Sequence, residues 1–218
     1  MAIIAKNLTY TYEGKNQPAV NNISILFEKG EIAAIVGPNG CGKTTLSKLL
    51  TGILKTQNGE VTIEGINIKG LSLTEIGRKV GLVMQNPERQ IFCTSVSEEI
   101  EFGLKNIGLN EEEVNNRREE YLKYFGIKQY ENKFPFELST GEKQRLVIAA
   151  VIAMKPEYLI LDEPTSSLDL LKRKELGKLL KELTTKEKIG IVVISHDEKF
   201  VREYADKTIS MEKGRFVI

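Results

Sequence analysis

The hydrophobic positions of the chain form short β-branched runs that alternate with stretches of helical spacing. Five runs predict strands, at Ile23–Phe27, Ile32–Val36, Val80–Met84, Tyr158–Leu161 and Ile191–Ile194. Because helical patterns separate these runs, the sequence predicts an α/β fold around a mostly parallel sheet. Two further stretches, Ile3–Tyr12 and Val61–Ile68, predict antiparallel strands that form an N-terminal β subdomain.

Leucines at helical spacing predict two helices that pack on the sheet. The first apolar face is made of Leu46, Leu49, Leu50 and Ile53. The second belongs to a helix over Leu170–Leu183, has Lys and Glu on its opposite side, and is made of Leu176, Leu179, Leu180 and Leu183.

The composition turns polar between about residues 95 and 135, where the strand pattern stops. Capping patterns at Ser95/Glu98 and Asn110/Glu113 predict the starts of two helices, and Gly126 predicts the end of the second. The sequence therefore predicts a helical subdomain inserted into the α/β core.

We expect one domain over residues 1–218, with an α/β core at about 1–85 and 156–218 and the helical subdomain at 86–155. No internal repeat, low-complexity tract or flexible linker interrupts the pattern. We expect no second regulatory domain.

Bulk composition narrows the class of protein. The 31 Lys and Arg residues balance 30 Asp and Glu residues, and a net charge of +1 gives no field that favours nucleic acid. Two cysteines and no apolar secretory segment after Met1 predict a reducing compartment. The longest apolar run, Leu146 to Met154, has nine residues, about half of what a membrane-spanning helix needs.

A glycine-rich segment follows the predicted strand Ile32–Val36 and opens the first leucine-faced helix. It reads Gly37-Pro38-Asn39-Gly40-Cys41-Gly42-Lys43-Thr44 and fits the pattern G-x-x-x-x-G-K-[ST] of a phosphate-binding P-loop. In such a loop the backbone N–H groups and the helix N-terminus attract phosphate oxygens. Lys43 is then expected to bind the β- and γ-phosphates, and the Thr44 hydroxyl to bind Mg²⁺. The position at a helix start also predicts a reactive Cys41 thiol.

Two carboxylates follow the apolar strand Tyr158–Leu161, at the sheet edge where open α/β folds bind ligands. Asp162 is expected to hold Mg²⁺ directly or through water. Glu163 is expected to orient or deprotonate the water that attacks the γ-phosphate. The alternative is that both acids are solvated and only cap a turn before Pro164.

Three further motifs occur in one order: Leu138-Ser139-Thr140-Gly141-Glu142, then Leu161-Asp162-Glu163-Pro164-Thr165, then Ser167-Leu168-Asp169. With the P-loop upstream, nearly the whole chain resembles the ATP-binding cassette (ABC) ATPases. The resemblance implies a P-loop NTPase fold, ATP and Mg²⁺ as cofactors, and ATP hydrolysis coupled to transport. A simple P-loop kinase would have no use for the residues around Ser139 and Asp169.

The resemblance also assigns roles to single residues. Gln85 would join Mg²⁺ and the attacking water to the helical subdomain, and His196 would hydrogen-bond the γ-phosphate. Tyr12 would stack on adenine, with Tyr10 as its rival, and Thr45 would follow Thr44 in the nucleotide site. Asp169 would couple the two subunits of a dimer, although it can equally be the N-cap of the following helix.

The segment Leu138-Ser139-Thr140-Gly141-Glu142, here called the signature loop, departs from the Leu-Ser-Gly-Gly-Gln usual in the family at Thr140 and Glu142. Ser139 and Gly141 are kept, and the resemblance implies that they contact the γ-phosphate of the partner's ATP. A Cβ at Thr140 and a negative charge at Glu142 predict a working but weakened contact.

The stretch Val83–Phe92 resembles the ATPases of energy-coupling-factor importers, which take up vitamins or metal ions, and Gln90 matches the second glutamine of their pattern. Those ATPases often carry a further C-terminal region, so another ABC importer or exporter stays the alternative. A chromosome-maintenance ATPase would need a long coiled coil, whereas 53 residues without sustained heptads separate Gln85 from Ser139. A translation-type factor would need two fused cassettes.

The resemblance implies that two cassettes, of the same or different chains, enclose two ATP molecules. It further implies integral membrane partners, a peripheral position on the cytoplasmic face of the membrane, and no nucleic acid. The partner would dock within Gln85–Phe102, where the apolar candidates are Ile91, Phe92, Ile100 and Phe102. The alternative for each of the four is burial in the helical subdomain.

Overall fold

A computed structural model describes residues 2–166 and 168–217 of the chain. Within those ranges the strands are β1 Ala2–Tyr10, β2 Val20–Glu28, β3 Ile32–Val36, β4 Asn58–Ile63, β5 Ile66–Asn67, β6 Val80–Val83, β7 Tyr158–Asp162, β8 Gly190–Ile194, β9 Lys207–Glu212 and β10 Arg215–Val217. The helices are α1 Lys43–Leu50, α2 Leu73–Gly77, α3 Val96–Asn106, α4 Glu111–Tyr124, α5 Thr140–Ala153, α6 Leu170–Lys186 and α7 Glu198–Tyr204. Ser167, which the resemblance includes beside Asp169, lies outside the described residues, as does Met1.

The larger sheet has the strand order β10-β9-β3-β8-β7-β6. All neighbouring pairs are parallel except the edge pair of β10 and β9. The strands are apolar because both faces are covered: β8 is buried along its whole length. The mostly parallel sheet predicted from the β-branched runs is confirmed.

The smaller sheet is antiparallel, with the order β2-β1-β4-β5. It includes Ile23–Phe27, so the prediction that this run belongs to the parallel sheet is wrong. Phe27 pairs with Ile3, and burial alternates along β2, from Leu26 at 39% exposure to Phe27 at 1%. No helix lies in the connection from β1 to β2, and a parallel pair needs such a crossover.

Two tight hairpins differ from the sequence prediction. The predicted strand Val61–Ile68 is broken into β4 and β5 by Glu64 and Gly65, which both have positive φ (53° and 79°). The hairpin of β9 and β10 was not predicted, and its turn repeats the pattern at Lys213 and Gly214 (45° and 79°). Two successive residues with positive φ are what a two-residue hairpin turn requires, which favours Gly at the second position.

The caps of the helical subdomain are confirmed. The Ser95 side chain accepts the backbone N–H of Glu98 at the start of α3, and Asn110 accepts that of Glu113 at the start of α4. Gly126 has the positive φ, 63°, of a residue that ends a helix.

The leucine-faced helices are confirmed with one correction. Leu46, Leu49 and Leu50 are buried, but Ile53 is 45% exposed because α1 ends at Leu50 and Gly52 turns the backbone with φ 70°. Helix α6 extends past the predicted Leu183, to Lys186.

The larger sheet separates two hydrophobic cores. On one face, Ile191 and Val193 of β8 pack with the helical subdomain and α6. On the other face, Val192 and Ile194 pack with α1 and the smaller sheet. Within residues 2–166 and 168–217, no helix combines the length and apolar character needed to span a membrane.

Candidate active site

The carboxyl ends of four neighbouring strands bring the predicted site residues to one edge of the larger sheet. The P-loop, residues 37–44, follows β3, and His196 follows β8 after one intervening residue. Asp162 ends β7, and Gln85 follows β6. Parallel strands end at the same edge, which is why these distant segments converge.

The P-loop folds tightly because two of its glycines touch neighbouring backbone. A Cβ on Gly37 would lie 2.1 Å from the Met211 carbonyl oxygen, and one on Gly42 would lie 2.0 Å from that of Ala19. Gly42 also has a positive φ of 111° where it starts α1. Side chains at these two positions would therefore displace the loop from the β9 strand and from the chain before β2.

Lys43 is held inside the P-loop. Its Nζ donates to the carbonyl oxygens of Gly37 at 2.7 Å and Pro38 at 3.0 Å, and the residue is only 6% exposed. Both acceptors are neutral carbonyl oxygens, so neither neutralises the ammonium that an anion in the loop would meet.

Asp162 and Glu163 are both buried, at 5% and 7% exposure. The Thr44 hydroxyl donates to Asp162 Oδ2 at 2.7 Å. Glu163 has a positive φ of 50°, which is rare outside glycine, and its N–H donates to the Ile194 carbonyl at 2.8 Å. That strained backbone turns the Glu163 side chain from the line of β7 towards the end of β8.

His196 contacts Glu163 directly. Its Nδ1 lies 2.7 Å from Glu163 Oε2, and its backbone N–H donates to the same oxygen at 3.3 Å. Because a carboxylate oxygen only accepts, Nδ1 carries a hydrogen in this contact. The imidazole therefore presents Nε2 away from Glu163, and its side chain is 62% exposed.

Gln85 is positioned by Gln90, the second glutamine of its segment. Gln90 Oε1 accepts the Met84 N–H at 2.6 Å, and Nε2 donates to the Leu82 carbonyl at 2.9 Å. The Gln90 amide therefore bonds both a carbonyl and an N–H at the end of β6. These bonds hold the backbone immediately before Gln85 in place. The resemblance at Gln90 did not predict this bridging role.

These residues surround one cavity of about 530 Å³. The described residues that line it are Tyr12, Ala19, Asn39, Gly40, Gly42, Lys43, Thr44, Thr45, Gln85, Asp162, Glu163 and His196. Ala19 was not predicted. The sequence gives little indication of Ala19, because its carbonyl oxygen comes close to Gly42 only when the chain is folded.

Tyr12, rather than its rival Tyr10, lines the cavity. The Tyr12 hydroxyl lies 3.2 Å from Thr45 Oγ1, and the ring is 39% exposed. Tyr10 packs against the core and meets the Tyr12 ring edge-on, with centroids 5.0 Å apart. Tyr10 therefore fixes the orientation of a Tyr12 ring whose face is open.

Cys41 does not present its thiol to the cavity. The residue is 5% exposed and packs in the core that also contains Met211. This burial limits the access of a reagent to the sulfur, which lies 3.8 Å from Lys43 Nζ, and the reactivity of the thiol stays a prediction. Gly37 and Pro38 also lie outside the lining and face Lys43 with their carbonyls.

The signature loop and Asp169 lie apart from this cavity and next to each other. Asp169 is the N-cap of α6, where its Oδ1 accepts the Lys172 N–H at 2.9 Å. The Lys172 side chain covers Gly141, since a Cβ there would lie 2.9 Å from Lys172 Cδ. Lys172 thereby joins the start of α6 to the start of α5.

The residues around Asp162 fit a magnesium ion. Asp162 Oδ1 is buried and has no hydrogen-bond partner, while Oδ2 faces the Thr44 hydroxyl. Within the described ranges, no group of three or more His, Cys, Asp or Glu residues forms an all-protein metal cage. Mg²⁺ suits such a sparse set, since it commonly takes one or two protein oxygens and completes its shell with water and phosphate.

Burial makes Asp162 costly without a cation, and raises the pKa of its carboxyl above the ordinary value. A raised pKa means that the ionised form destabilises the fold at neutral pH and that this cost disappears in acid. We therefore expect Asp162→Asn to raise the Tm of the nucleotide-free protein at pH 7 by about 2–4 °C, for a gain of about 1 kcal/mol. Differential scanning calorimetry measures this shift.

Asp206→Asn is the matched control for that substitution. Asp206 accepts the Ile32 N–H at 2.9 Å and pairs with Lys181 at 2.5 Å, and these bonds leave the pKa of its carboxyl lowered. The same chemical change should therefore lower the Tm there. A lower Tm for Asp162→Asn as well would contradict the conclusion that the buried, ionised Asp162 destabilises the nucleotide-free protein.

The profile described as "ABC transporter" matches residues 20–166, which run from β2 to just beyond the Asp162-Glu163 pair. The chain belongs to the ABC transporter family. It is an ATP-binding and ATP-hydrolysing subunit, and the family predicted from the motif order is confirmed.

Curated relatives of this ABC ATPase agree. A putative ABC transporter ATP-binding protein of Pyrococcus horikoshii is 48% identical over 93% of the chain and 76% of its own length. The energy-coupling factor transporter ATP-binding protein EcfA of Methanothermobacter thermautotrophicus is 41% identical over 97% of the chain and 68% of its own length.

Solved structures share the fold. The structure of cbiO1 from Clostridium perfringens, described as part of the ABC transporter complex cbiONQ, has a TM-score of 0.90 at 35% identity, over 99% of this chain and 86% of that one. A dimeric post-hydrolysis state of the ATP-binding cassette MJ0796, bound to ADP and phosphate, has a TM-score of 0.89 at 29% identity, over 99% and 97%.

Proposed function

We propose that this ABC ATPase closes with a second cassette around two ATP molecules and drives an energy-coupling-factor type importer of a vitamin or a metal ion. One observation carries the proposal. The signature loop lies outside the cavity that contains the P-loop, Asp162, Glu163 and His196. A second cassette would supply that loop, so each complete site would need residues from both.

Within one cassette the cavity residues divide the work. Lys43 and the P-loop N–H groups bind the β- and γ-phosphates, and Tyr12 stacks on adenine. Glu163 accepts the proton of the attacking water or orients it, and His196, with hydrogen on both ring nitrogens, donates from Nε2 to the γ-phosphate. The shared contact at Glu163 Oε2 holds the base and the imidazole at a fixed separation.

Thr44, Asp162 and Gln85 would hold Mg²⁺ beside the phosphates. The ion would supply positive charge that neutralises the β- and γ-oxygens as the bond to the γ-phosphate breaks. The Thr44 hydroxyl already bonds Asp162 Oδ2, and the other carboxylate oxygen, Oδ1, has no partner. Gln85 would couple Mg²⁺ binding to the helical subdomain through the backbone segment to which Gln90 is hydrogen-bonded.

Two copies of this chain contain all the parts that such a dimer needs. Ser139 and Gly141 lie at the start of α5, where the helix dipole favours an anion such as the partner's γ-phosphate. Lys172 connects them to Asp169, which is 60% exposed on its side chain and free to face a neighbour. Asp169 would thus couple the two sites while it also caps α6.

A groove of about 360 Å³ on the helical subdomain would receive the membrane partner. Phe92 and Phe102 are 60% and 47% exposed and meet edge-to-face with centroids 4.7 Å apart. Ile91 and Ile100 are buried in the core, so those two are wrong as docking candidates. Two exposed aromatic rings in edge-to-face contact beside a groove are typical of a protein-binding surface.

An ion pair also connects the loop beside the groove to the helix that begins at the signature loop. Glu88, in the loop between Gln85 and Phe92, pairs with Lys143 of α5 at 2.5 Å, and Lys143 is only 8% exposed. A partner that moves this loop would therefore move the helix that begins at the signature loop. Such docking would hold the subunit at the membrane as a peripheral protein, and we propose the cytoplasmic face as its position.

The importer branch is supported by names and by sequence. EcfA proteins, described as energy-coupling factor transporter ATP-binding proteins, are among the curated relatives. The cbiO1 structure is described as part of the ABC transporter complex cbiONQ. Gln90 is the second glutamine of the importer pattern in this segment. Its two hydrogen bonds to the backbone of Leu82 and Met84 explain why a glutamine suits this position.

Phe92→Asp tests the docking surface. We expect the variant to fold and bind ATP, because Phe92 is mostly exposed, but to lose its membrane subunits during purification from native membranes. Mass spectrometry of the co-purifying subunits measures the loss, and a vitamin-binding or metal-binding membrane subunit with the wild type identifies the branch.

Ile66→Asp is the matched control, because Ile66 is 47% exposed on the edge strand of the smaller sheet, away from the groove. It should keep the membrane subunits. Wild-type levels of those subunits with Phe92→Asp would refute the docking surface, and a wild type that recovers no membrane subunit would refute the transport role.

A further inference from the structure

The signature loop of this chain contains a hydrogen bond that occupies its own phosphate-binding hydroxyl. Glu142 Oε2 accepts both the backbone N–H of Ser139 at 2.8 Å and the Ser139 hydroxyl at 2.7 Å. The bond from Ser139, joined by one from Tyr130 and by the charge of Arg145, lowers the pKa of Glu142 to about 2. The carboxylate is therefore ionised at any pH at which the protein works.

A serine hydroxyl has one proton to donate. While Glu142 accepts that proton, Ser139 turns a lone pair, rather than a donor, towards an incoming anion. To donate to a phosphate, the hydroxyl has to break a charge-assisted bond, which is about twice as strong as a neutral one. The negative charge of Glu142 also lies 2.7 Å from the hydroxyl that would meet the phosphate.

We propose that Glu142 is a positioning residue that holds the Ser139 proton and so raises the ATP concentration at which two cassettes close. The inference rests on the proposed function, because it concerns the contact between the signature loop and the partner's γ-phosphate. Glu142 thereby sets a threshold: the dimer closes only when ATP is abundant enough to draw the Ser139 hydroxyl away.

Glutamine at the same position would remove the competition without removing the cap. Its carbonyl oxygen can accept the Ser139 N–H, and its amide N–H can donate to Ser139 Oγ. The hydroxyl proton would then be free for the phosphate. Glu142→Gln should therefore favour closure.

The chain contains a second serine and glutamate with the same geometry, which gives a matched control. At the start of α2, Glu75 Oε2 accepts the Ser72 N–H at 2.8 Å and the Ser72 hydroxyl at 2.7 Å. Glu75→Gln removes the same charge from the same kind of cap on another helix. Any effect of cap loss or net charge alone appears in both variants.

The experiment measures dimer formation by light scattering as Mg-ATP is titrated, in a Glu163→Gln background that stops hydrolysis. We expect Glu142→Gln to lower the midpoint ATP concentration about tenfold, the scale of one charge-assisted bond. Glu75→Gln should leave the midpoint unchanged. Both variants should show similar small changes in Tm.

A third variant separates the hydroxyl from simple charge repulsion. In a Ser139→Ala background there is no proton to hold, so Glu142→Gln should shift the midpoint far less, and the difference between backgrounds is the coupling of the two residues. An equal shift in both backgrounds would overturn the inference, as would no shift with Ser139 present. If the Glu163→Gln parent forms no dimer at any ATP concentration, the proposed function itself fails.

Discussion

ATP turnover by Glu163→Gln is expected to fall roughly 100- to 10,000-fold, the usual contribution of a general base. The amide keeps the shape of Glu163 and can still accept the His196 N–H that now donates to Oε2 at 3.3 Å. It loses the basicity that the attacking water needs. Steady-state phosphate release measures turnover, and binding of a fluorescent ATP analogue should stay within a few-fold of wild type.

Glu198→Gln provides the control for that substitution. Glu198 is exposed in the first turn of α7, two residues after His196, and it does not line the cavity. Its replacement removes a nearby charge without touching the site, so turnover should remain at the wild-type rate. Turnover of Glu163→Gln within a few-fold of wild type would exclude Glu163 as the base.

Loss of the Lys43 ammonium should weaken ATP binding at least about 100-fold, since charge-assisted bonds to two phosphates disappear together. Lys43→Ala deletes the whole buried side chain and orphans the carbonyls of Gly37 and Pro38. Lys43→Met keeps most of the stem and removes only the charge. Isothermal titration calorimetry with Mg-ATP measures the affinity of both.

Lys48→Ala is the control for the P-loop prediction. Lys48 lies in the last turn of the same helix, α1, and does not line the cavity. Affinity should change little there. A Lys43→Met protein that is folded, as judged by its Tm, and binds ATP like the wild type would exclude Lys43 as the phosphate ligand.

Sequence predicted the parts of the fold and site that depend on local pattern. Apolar strands buried on both faces predicted the larger sheet, and the ends of Ile32–Val36 and Tyr158–Leu161 located Lys43 and Asp162 at one edge. Capping pairs predicted the helix starts of the subdomain because each pair satisfies backbone donors within four residues.

The misses depend on contacts between distant segments, on backbone turns or on a strand without an apolar pattern. Cys41 belongs to the P-loop, yet its side chain is buried in the core that also contains Met211. Strand β9 escaped prediction because most of its residues are exposed and polar. Among the docking candidates, Ile91 and Phe92 are adjacent in sequence, and only packing decides that the first is buried and the second exposed.

The two hydrophobic cores have a mechanical consequence. The helical subdomain packs in one core, and α1 with the smaller sheet packs in the other, so the larger sheet lies between the two cores. Adjacent residues of β8, such as Val192 and Val193, belong to opposite sides. We therefore expect that the subdomain can tilt relative to the sheet while the side chains beneath the P-loop keep their packing.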